Sequence, residues 1–306
     1  MKRFLTNCAA FSAVIIGSVY FVLNQGDGYT DAFYARFTTP KQTSLIVGSS
    51  RAAQGILPSV LDTSLSRDDF FNFSFTIADS PYGPTYLRAI KKKLDANARN
   101  SIFIVTVDPW SIASDCESPN DTTTFRELNG CLAKSLDMNA NPNIGYLINA
   151  FKGRYINLLT KNPQMSLADD GWLEMTINMD PAQVEVRTKR KVESYGQMVS
   201  EYCFSQVRMD YLIKTIAFLK DHGPVFLVRL PVSHEIKEIE TEMLADFDSR
   251  LEPAIALCEG YLDMTVLDSE YVFTDGNHLS RESAIEVSES ISDWIHEQSA
   301  KKVTLK

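Results

Sequence analysis

The strongest constraint on the fold is a set of short apolar runs, each followed closely by glycine or proline. The clearest runs are Ser44–Val47, 101–107 and 224–230. A continuous run of about four to eight apolar residues is typical of a strand buried on both faces of a parallel sheet. A proline after such a run ends the strand ladder, because proline has no amide hydrogen to donate. The sequence therefore predicts an α/β fold with a mainly parallel sheet.

Helical patterns alternate with these strands. Further strands are predicted at 70–75 and 261–267, and helices at 82–97, 205–221, 236–259 and 280–296. This alternation is typical of a parallel sheet with helices on both faces. Residues 110–200 show no strong period and are rich in turn-forming residues. We interpret them as an insertion of loops and helices that covers one side of the sheet.

A long uncharged stretch near the N-terminus predicts the compartment. Residues 4–26 contain no charged side chain, Lys2 and Arg3 precede them, and Asp27 follows. At about 1.5 Å per residue, roughly 20 helical residues cross the hydrocarbon core of a bilayer. We expect residues 1–26 to form a single-pass signal anchor and residues 27–306 to form the main domain. The positive-inside rule predicts a cytoplasmic N-terminus and an extracytoplasmic domain, in a periplasm or at a cell surface.

Two other interpretations of this stretch stay open. A secretory signal peptide would be cleaved after small residues, whereas residues 20–25 are mostly bulky, which favours the uncleaved anchor. The stretch would also suit a helix buried in the core of the domain.

The charge of the chain excludes some partners. The formal net charge is −9 and the sequence pI is about 5.1. Nucleic acid binding needs basic stripes, so no nucleic acid partner is expected. The same acidity argues against docking on anionic lipid through charge.

Four of the five cysteines lie in the predicted extracytoplasmic domain, where disulfides form. Cys116 and Cys131 flank a polar loop, and closing that loop would stabilise the fold by about 3 kcal/mol. With Cys203 and Cys258 there are three possible pairings, and the sequence does not choose between them. The chain has no C-x-x-C motif, and we expect no metal or organic cofactor.

Polar residues that follow the strands form the candidate site, because ligands of open parallel sheets bind at the carboxyl ends of strands. Ser50 comes just after the first run and Gly48, where the chain can turn sharply and present the serine hydroxyl. A serine becomes a nucleophile only when a base takes its proton. The alternative is that Ser49 and Ser50 only cap the next helix.

A histidine near the C-terminus is the matching base. Asp275 precedes His278 by three residues, with Gly276 between them. A carboxylate at this spacing can turn back onto the imidazole Nδ1, fix its tautomer and stabilise the imidazolium. The alternative is an Asp-Gly turn that leads into a helix and leaves a solvated histidine.

The order of these residues resembles that of the SGNH (GDSL-like) hydrolase and acyltransferase superfamily, over residues 44–109 and 224–295. The run 48–50 is similar to the family's Gly-Asp-Ser block, and the run 275–278 is similar to its Asp-x-x-His block. The resemblance implies a three-layer α/β/α, flavodoxin-like fold. It also implies that Ser50 is the nucleophile, His278 the general base and Asp275 the residue that orients it.

The blocks that build the family's oxyanion hole are reduced in this chain. Ala78 stands where a glycine is expected, and the segment that begins at Asp108 lacks the expected asparagine. We expect the backbone amides of Ser50 and Ala78 to bind the oxyanion, with Arg51 and Asp108 as candidate substrate-binding residues. Arg51 would otherwise form a salt bridge to an acid such as Asp79, which is the interpretation we favour.

The sequence thus predicts a membrane-anchored serine esterase or O-acyltransferase that acts on acyl esters of cell-envelope or extracellular polysaccharide. In the transferase case a membrane partner would supply the acyl group. The alternative is a non-catalytic, SGNH-like component that binds glycan or takes part in envelope assembly. A phosphate-binding role for residues 48–50 is disfavoured, because the chain lacks the P-loop pattern.

Overall fold

A computed structural model describes residues 1–161, 164–266 and 271–304. Its strands are β1 (Ser44–Val47), β2 (Phe70–Asn72), β3 (Phe103–Thr106), β4 (Ala113–Asp115), β5 (Met165–Leu167), β6 (Leu173–Met175), β7 (Tyr202–Phe204), β8 (Val225–Arg229) and β9 (Gly260–Asp263). Its helices are α1 (Lys2–Leu23), α2 (Tyr34–Thr38), α3 (Ser50–Gly55), α4 (Pro58–Leu65), α5 (Pro84–Lys93), α6 (Cys131–Lys134), α7 (Ile144–Asn149), α8 (Pro181–Val199), α9 (Gln206–Lys220), α10 (His234–Met243), α11 (Phe247–Ile255) and α12 (Arg281–Thr304).

Five strands form one parallel sheet in the order β2-β1-β3-β8-β9. The predicted mainly parallel α/β fold is therefore confirmed. In the register of this sheet, Leu45 of β1 lies opposite Phe71 of β2 and Phe103 of β3. All five strands point the same way, so their carboxyl ends meet at one edge of the sheet. The loops that follow β1, β3 and β8 are thereby placed together.

Side chains of β1 enter two different apolar clusters. Leu45 and Val47 pack in a cluster that includes residues of α5, α9 and α11, whereas Ile46 packs in a cluster that includes residues of α3, α4 and α12. Successive side chains of a strand point to opposite faces, which accounts for this division. All three side chains are completely buried, as their unbroken apolar sequence predicts.

The first helix, α1, is long and apolar enough to cross a membrane. Its apolar stretch is not buried against the rest of the chain, but Leu23 at its end joins the core cluster that contains Leu45. The body therefore begins directly at the end of α1, without an extended linker.

Three elements differ from the sequence-based expectation. The single helix expected at 236–259 is two helices, α10 and α11, separated at residues 244–246. The strand expected at 261–267 ends at Asp263, and Leu267 lies outside the described residues. The segment 110–200 holds the strands β4, β5 and β6 as well as helices. Two small antiparallel sheets result, β5 with β6 and β4 with β7, which follows the segment directly.

One disulfide joins Cys116 to Cys203. The loop closure considered for Cys116 with Cys131 is therefore wrong, and Cys131 is a buried free thiol. The physical reason is the pairing of β4 with β7, which places Ser114 opposite Cys203 and brings the two chain ends of the insertion together. Cys258 is also free.

Candidate active site

Ser50 lies at the first position of α3, three residues beyond the end of β1. The turn between strand and helix passes close to β3: a Cβ on Gly48 would collide with the side-chain oxygen of Thr106. The Gly48 amide donates to the Tyr86 hydroxyl at 2.9 Å, and its carbonyl accepts from Ser80 Oγ at 2.7 Å. Glycine is thus required here for close approach, and the turn that presents Ser50 is held on both sides.

The loop 273–279 presents the opposing histidine. Gly276 has φ +77°, a left-handed conformation that side-chain-bearing residues rarely adopt. This turn lets the Asp275 carboxylate accept the backbone amides of Asn277 at 3.0 Å and His278 at 2.9 Å. An isolated antiparallel bridge between Phe273 and Leu279 closes the base of the loop.

Ser50, His278 and Asp275 lie in one line of hydrogen bonds. The Ser50 Oγ is 2.9 Å from His278 Nε2, and His278 Nδ1 is 3.0 Å from Asp275 Oδ2. An ionised carboxylate only accepts hydrogen bonds, so Nδ1 carries the proton and Nε2 can accept from the serine hydroxyl. The structure therefore brings together the three residues that the sequence selected, in the tautomer that base catalysis by histidine needs.

Charge around Asp275 favours its ionised form. Burial alone would raise its pKa, but the hydrogen bond and charge of His278, with further contributions from Lys191 and the Asn277 amide, hold the pKa well below its ordinary value. Lys191 belongs to α8, and its Nζ lies 3.3 Å from Asp275 Oδ2. Arg187 of the same helix donates to the carbonyl of Thr274 at 2.9 Å. A helix of the insertion thus fixes the loop that carries Asp275 and His278.

A second polar chain, which the sequence did not reveal, runs beneath the first. Arg51 donates through Nε and Nη2 to Asn277 Oδ1 at 2.9 and 2.7 Å. Arginine has no acceptor, so this pairing fixes the amide orientation of Asn277. Its Nδ2 is thereby directed toward His278 and lies 3.3 Å from Nε2. Asn277 stands between the two motif residues, but nothing in the spacing indicates this contact with Arg51.

Arg51 is anchored by acids from other parts of the chain. Its Nη2 lies 2.6 Å from Glu240 Oε1 and its Nη1 lies 3.9 Å from Asp108 Oδ2. Glu240 also pairs with Arg229, at 3.2 Å. Burial alone would lower the pKa of Arg51, but the charges of Glu240 and Asp108 raise it above its ordinary value, so the guanidinium stays charged.

The salt bridge expected for Arg51 is present, but Asp79 as its partner is wrong. Asp79 instead accepts from Thr76 Oγ1 at 2.7 Å and from the Cys131 amide at 3.1 Å. Glu240 replaces it because α10 follows β8, whose carboxyl end lies at the same sheet edge as Ser50. Sequence spacing could not show which residue of the predicted helix at 236–259 would face Arg51.

The other three expected oxyanion or substrate-binding residues occupy different environments. Asp108 is buried, caps the short 3-10 helix Pro109–Ile112 through the Ser111 amide, and accepts from Ser49 Oγ at 3.2 Å. Ala78 is exposed, and its amide donates to Thr76 Oγ1 at 3.2 Å. The Ser50 amide lies in the first turn of α3, where no carbonyl of the helix can accept it. Among these groups, the Ser50 amide best suits an oxyanion.

A cavity of about 350 Å³ is lined by residues that neighbour the triad in sequence, although Ser50, Asp275 and His278 are not among its lining residues. Gln54 lines it from α3, one turn after Ser50, and Leu279 lines it from the position after His278. The opposite wall comes from β6 of the insertion and the residues around it, including Trp172 and Met175. The insertion thus supplies part of the wall of this cavity.

Neither a search for metal-binding clusters nor a comparison with known proteins assigns a function to this site. Within the described parts of the chain, no group of three or more His, Cys, Asp or Glu side chains is arranged to hold a metal ion. The chain matches no protein-family model, and no curated protein matches it either.

Proposed function

We propose that this protein is a serine hydrolase or acyltransferase that forms a covalent acyl-Ser50 intermediate from an ester. The observation that carries the proposal is the 2.9 Å contact between Ser50 Oγ and His278 Nε2, with Asp275 on the other ring nitrogen. A surface serine that only capped a helix would not need an imidazole oriented by a carboxylate. The arrangement suits proton transfer from a nucleophile.

The reaction follows from these contacts. Ser50 Oγ attacks the acyl carbonyl while His278 Nε2 takes its proton, and Asp275 stabilises the resulting imidazolium. The Ser50 amide donates to the carbonyl oxygen as it becomes negative. The carbon–oxygen bond of the ester breaks, and His278 returns the proton to the departing alcohol. Water or a sugar hydroxyl then attacks the acyl-Ser50 carbonyl while His278 takes its proton. The bond between the acyl carbon and Ser50 Oγ breaks, His278 returns the proton to Ser50, and the product leaves as an acid or a new ester.

The proposal includes membership of the SGNH superfamily and its three-layer fold. Two features support it: the strand order β2-β1-β3-β8-β9, and the apolar clusters on alternate side chains of β1 that contain different helices. The proposed substrates are acyl esters of cell-envelope or extracellular polysaccharide. The apolar helix α1 would anchor the body, with the N-terminus in the cytoplasm and the active site outside. A transferase would also need a membrane partner that delivers acyl groups.

A fluorophosphonate probe tests the nucleophile in the full chain, because it reacts covalently with activated serines. We expect the native protein to be labelled, and Ser50→Ala and His278→Ala to abolish the labelling. Ser49→Ala is the matched control, since Ser49 is adjacent but bonds to Asp108 at 3.2 Å. It should remain labelled. Equal labelling of the native protein and the folded Ser50→Ala variant would refute the proposal.

A second candidate is a non-catalytic, glycan-binding or assembly protein of the envelope. The observation that favours it is the engagement of the Ala78 amide by Thr76, which leaves the Ser50 amide to stabilise an oxyanion with little help. An absence of labelling in a native, folded protein would support this candidate. Binding of polysaccharide by the Ser50→Ala variant, with native affinity, would then establish it.

A further inference from the structure

An exposed apolar patch lies next to the end of α1. It is formed by α7 and the short 3-10 helix Tyr155–Leu158, together with the residue that follows. We call it the interfacial patch and define it by five side chains that are between 38% and 62% exposed: Ile144, Ile148, Tyr155, Ile156 and Leu159. A folded domain in water rarely groups large apolar side chains in this way without a partner.

The interfacial patch is in direct continuity with α1. Val19 and Val22 of α1 line a cavity of about 430 Å³ together with Ile148 and Tyr155 of the patch. Leu23, the last residue of α1, is only 8% exposed and belongs to the same core cluster as Leu158. The helix and the patch are therefore parts of one packed unit.

The length of α1 sets the level of the patch. The helix has 22 residues and is about 33 Å long, which is close to the roughly 30 Å of a bilayer's hydrocarbon core. All of α1 is then needed to cross, and its last turn must lie at the membrane interface. Because this last turn packs on Ile148 and Tyr155, those side chains lie at the same level. Tyrosine is enriched at this depth of a membrane, where its ring and hydroxyl meet different surroundings.

The turn inside the patch has a charge opposite to that of the whole chain. Residues 134–161 carry Lys134, Lys152, Arg154 and Lys161 but only one acid, Asp137, in a protein of net charge −9. Lys161 pairs with Asp27, so the argument rests on the cations of the turn. Lys152 and Arg154 are exposed and lie in the turn between α7 and the helix Tyr155–Leu158. Exposed cations beside apolar side chains are typical of segments that rest on anionic lipid. The acidity of the whole chain hid this local feature.

We infer that the interfacial patch docks the body onto the surface of the bilayer that α1 crosses. Its apolar side chains enter the boundary between headgroups and acyl chains, and Lys152 and Arg154 contact anionic headgroups. The body is thus held at the membrane by two contacts, of which α1 is one.

Quenching by brominated lipid tests this contact in the full chain. Ile156→Trp places a reporter in the patch, and Val272→Trp is the matched control because both native side chains are 57% exposed. The neighbours of Val272 pack in the cluster that contains Ile46, on the other side of the sheet from Leu23. The vesicles contain phosphatidylcholine and phosphatidylglycerol, with or without bromine on their acyl chains.

We expect Ile156→Trp to lose about half of its added emission in brominated vesicles, as for an aromatic residue at the acyl boundary, and Val272→Trp to lose none. Equal quenching of the two variants would overturn the inference. An unquenched Ile156→Trp would overturn it too, because the patch would then not reach the acyl chains. Release of the full chain by alkaline washing would overturn it as well, since α1 would then not span the bilayer.

The charges are tested by the double variant Lys152→Glu, Arg154→Glu in the Ile156→Trp background. We expect quenching to fall about twofold in vesicles with phosphatidylglycerol and to stay unchanged in pure phosphatidylcholine. The same change in both lipids would contradict the contact with anionic headgroups.

Discussion

The two halves of the candidate site differ in how completely they are built. The half that moves protons is fully assembled. Ser50 Oγ lies 2.9 Å from His278 Nε2, and His278 Nδ1 lies 3.0 Å from Asp275 Oδ2. Lys191 contacts the same Asp275 oxygen. The half that would hold an oxyanion has the Ser50 amide, while the Ala78 amide expected beside it donates to Thr76. The comparison teaches that activation of the serine and stabilisation of the transition state are separate properties, each carried by different elements of this chain.

The largest expected effect concerns the proton-moving half. Asp275→Asn should lower the rate of fluorophosphonate labelling by about 10⁴-fold, because an amide at this position favours the wrong tautomer of His278. The rate is measured by following labelled protein over time at neutral pH. Asp121→Asn is the control, since Asp121 is an exposed loop carboxylate that bonds only to nearby groups such as Thr123. A native rate for Asp275→Asn would mean that the hydrogen-bonded line does not activate Ser50.

The second prediction concerns the polar chain of Arg51 beside the proton-moving half. Asn277→Ala should lower the labelling rate by about 10²-fold, because it removes the Nδ2 contact that positions His278 and the acceptor of Arg51. Asn277→Asp separates these two roles, since it keeps an acceptor for Arg51 and loses the donor. We expect the labelling rates of the two variants to fall by the same factor. If Asn277→Asp kept the native rate, Asn277 would act only by positioning Arg51.

The smallest effect is on stability at low pH. The pKa of Asp275 is depressed in the folded chain below its ordinary value of 3.8. The unfolded chain therefore binds a proton at Asp275 before the folded chain does, so the stability contributed by this carboxylate is present above about pH 4 and is lost as the pH falls further. Urea unfolding of the native protein and Asp275→Asn should show a difference in unfolding free energy that shrinks between pH 5 and pH 3, on this linkage argument. A difference that grew on acidification would contradict the assigned ion pairs.

The sequence predicted the parts of the fold that depend on continuous patterns. The runs at 44–47, 101–107 and 224–230 contain β1, β3 and β8, because burial on both faces leaves an unbroken apolar signal. The strands β4 to β7 were missed, since they are as short as β2 but partly exposed and so do not form an apolar run. The predicted and observed strands agree best where a continuous apolar run alone identifies the strand.

The candidate site shows the same division. Ser50, Asp275 and His278 could be selected because strand ends and short spacing are local properties of the sequence. Asn277 and Glu240 could not, because their contacts with Arg51 join residues 226 and 189 positions apart and depend on how separate helices face the sheet edge. Lys191 likewise reaches Asp275 only through the packing of α8.

The disulfide makes the insertion a covalent ring. Cys116 and Cys203 are 87 positions apart, and the segment between them includes α8 with Lys191, and β6, which lines the same cavity as Gln54 and Leu279. If a protease cuts one exposed turn between Cys116 and Cys203, the disulfide keeps the two resulting fragments covalently joined. Both ends of the cut chain stay attached, and fragments separate only after reduction. The segment that steadies Asp275 is thereby protected against loss by a single break in the chain.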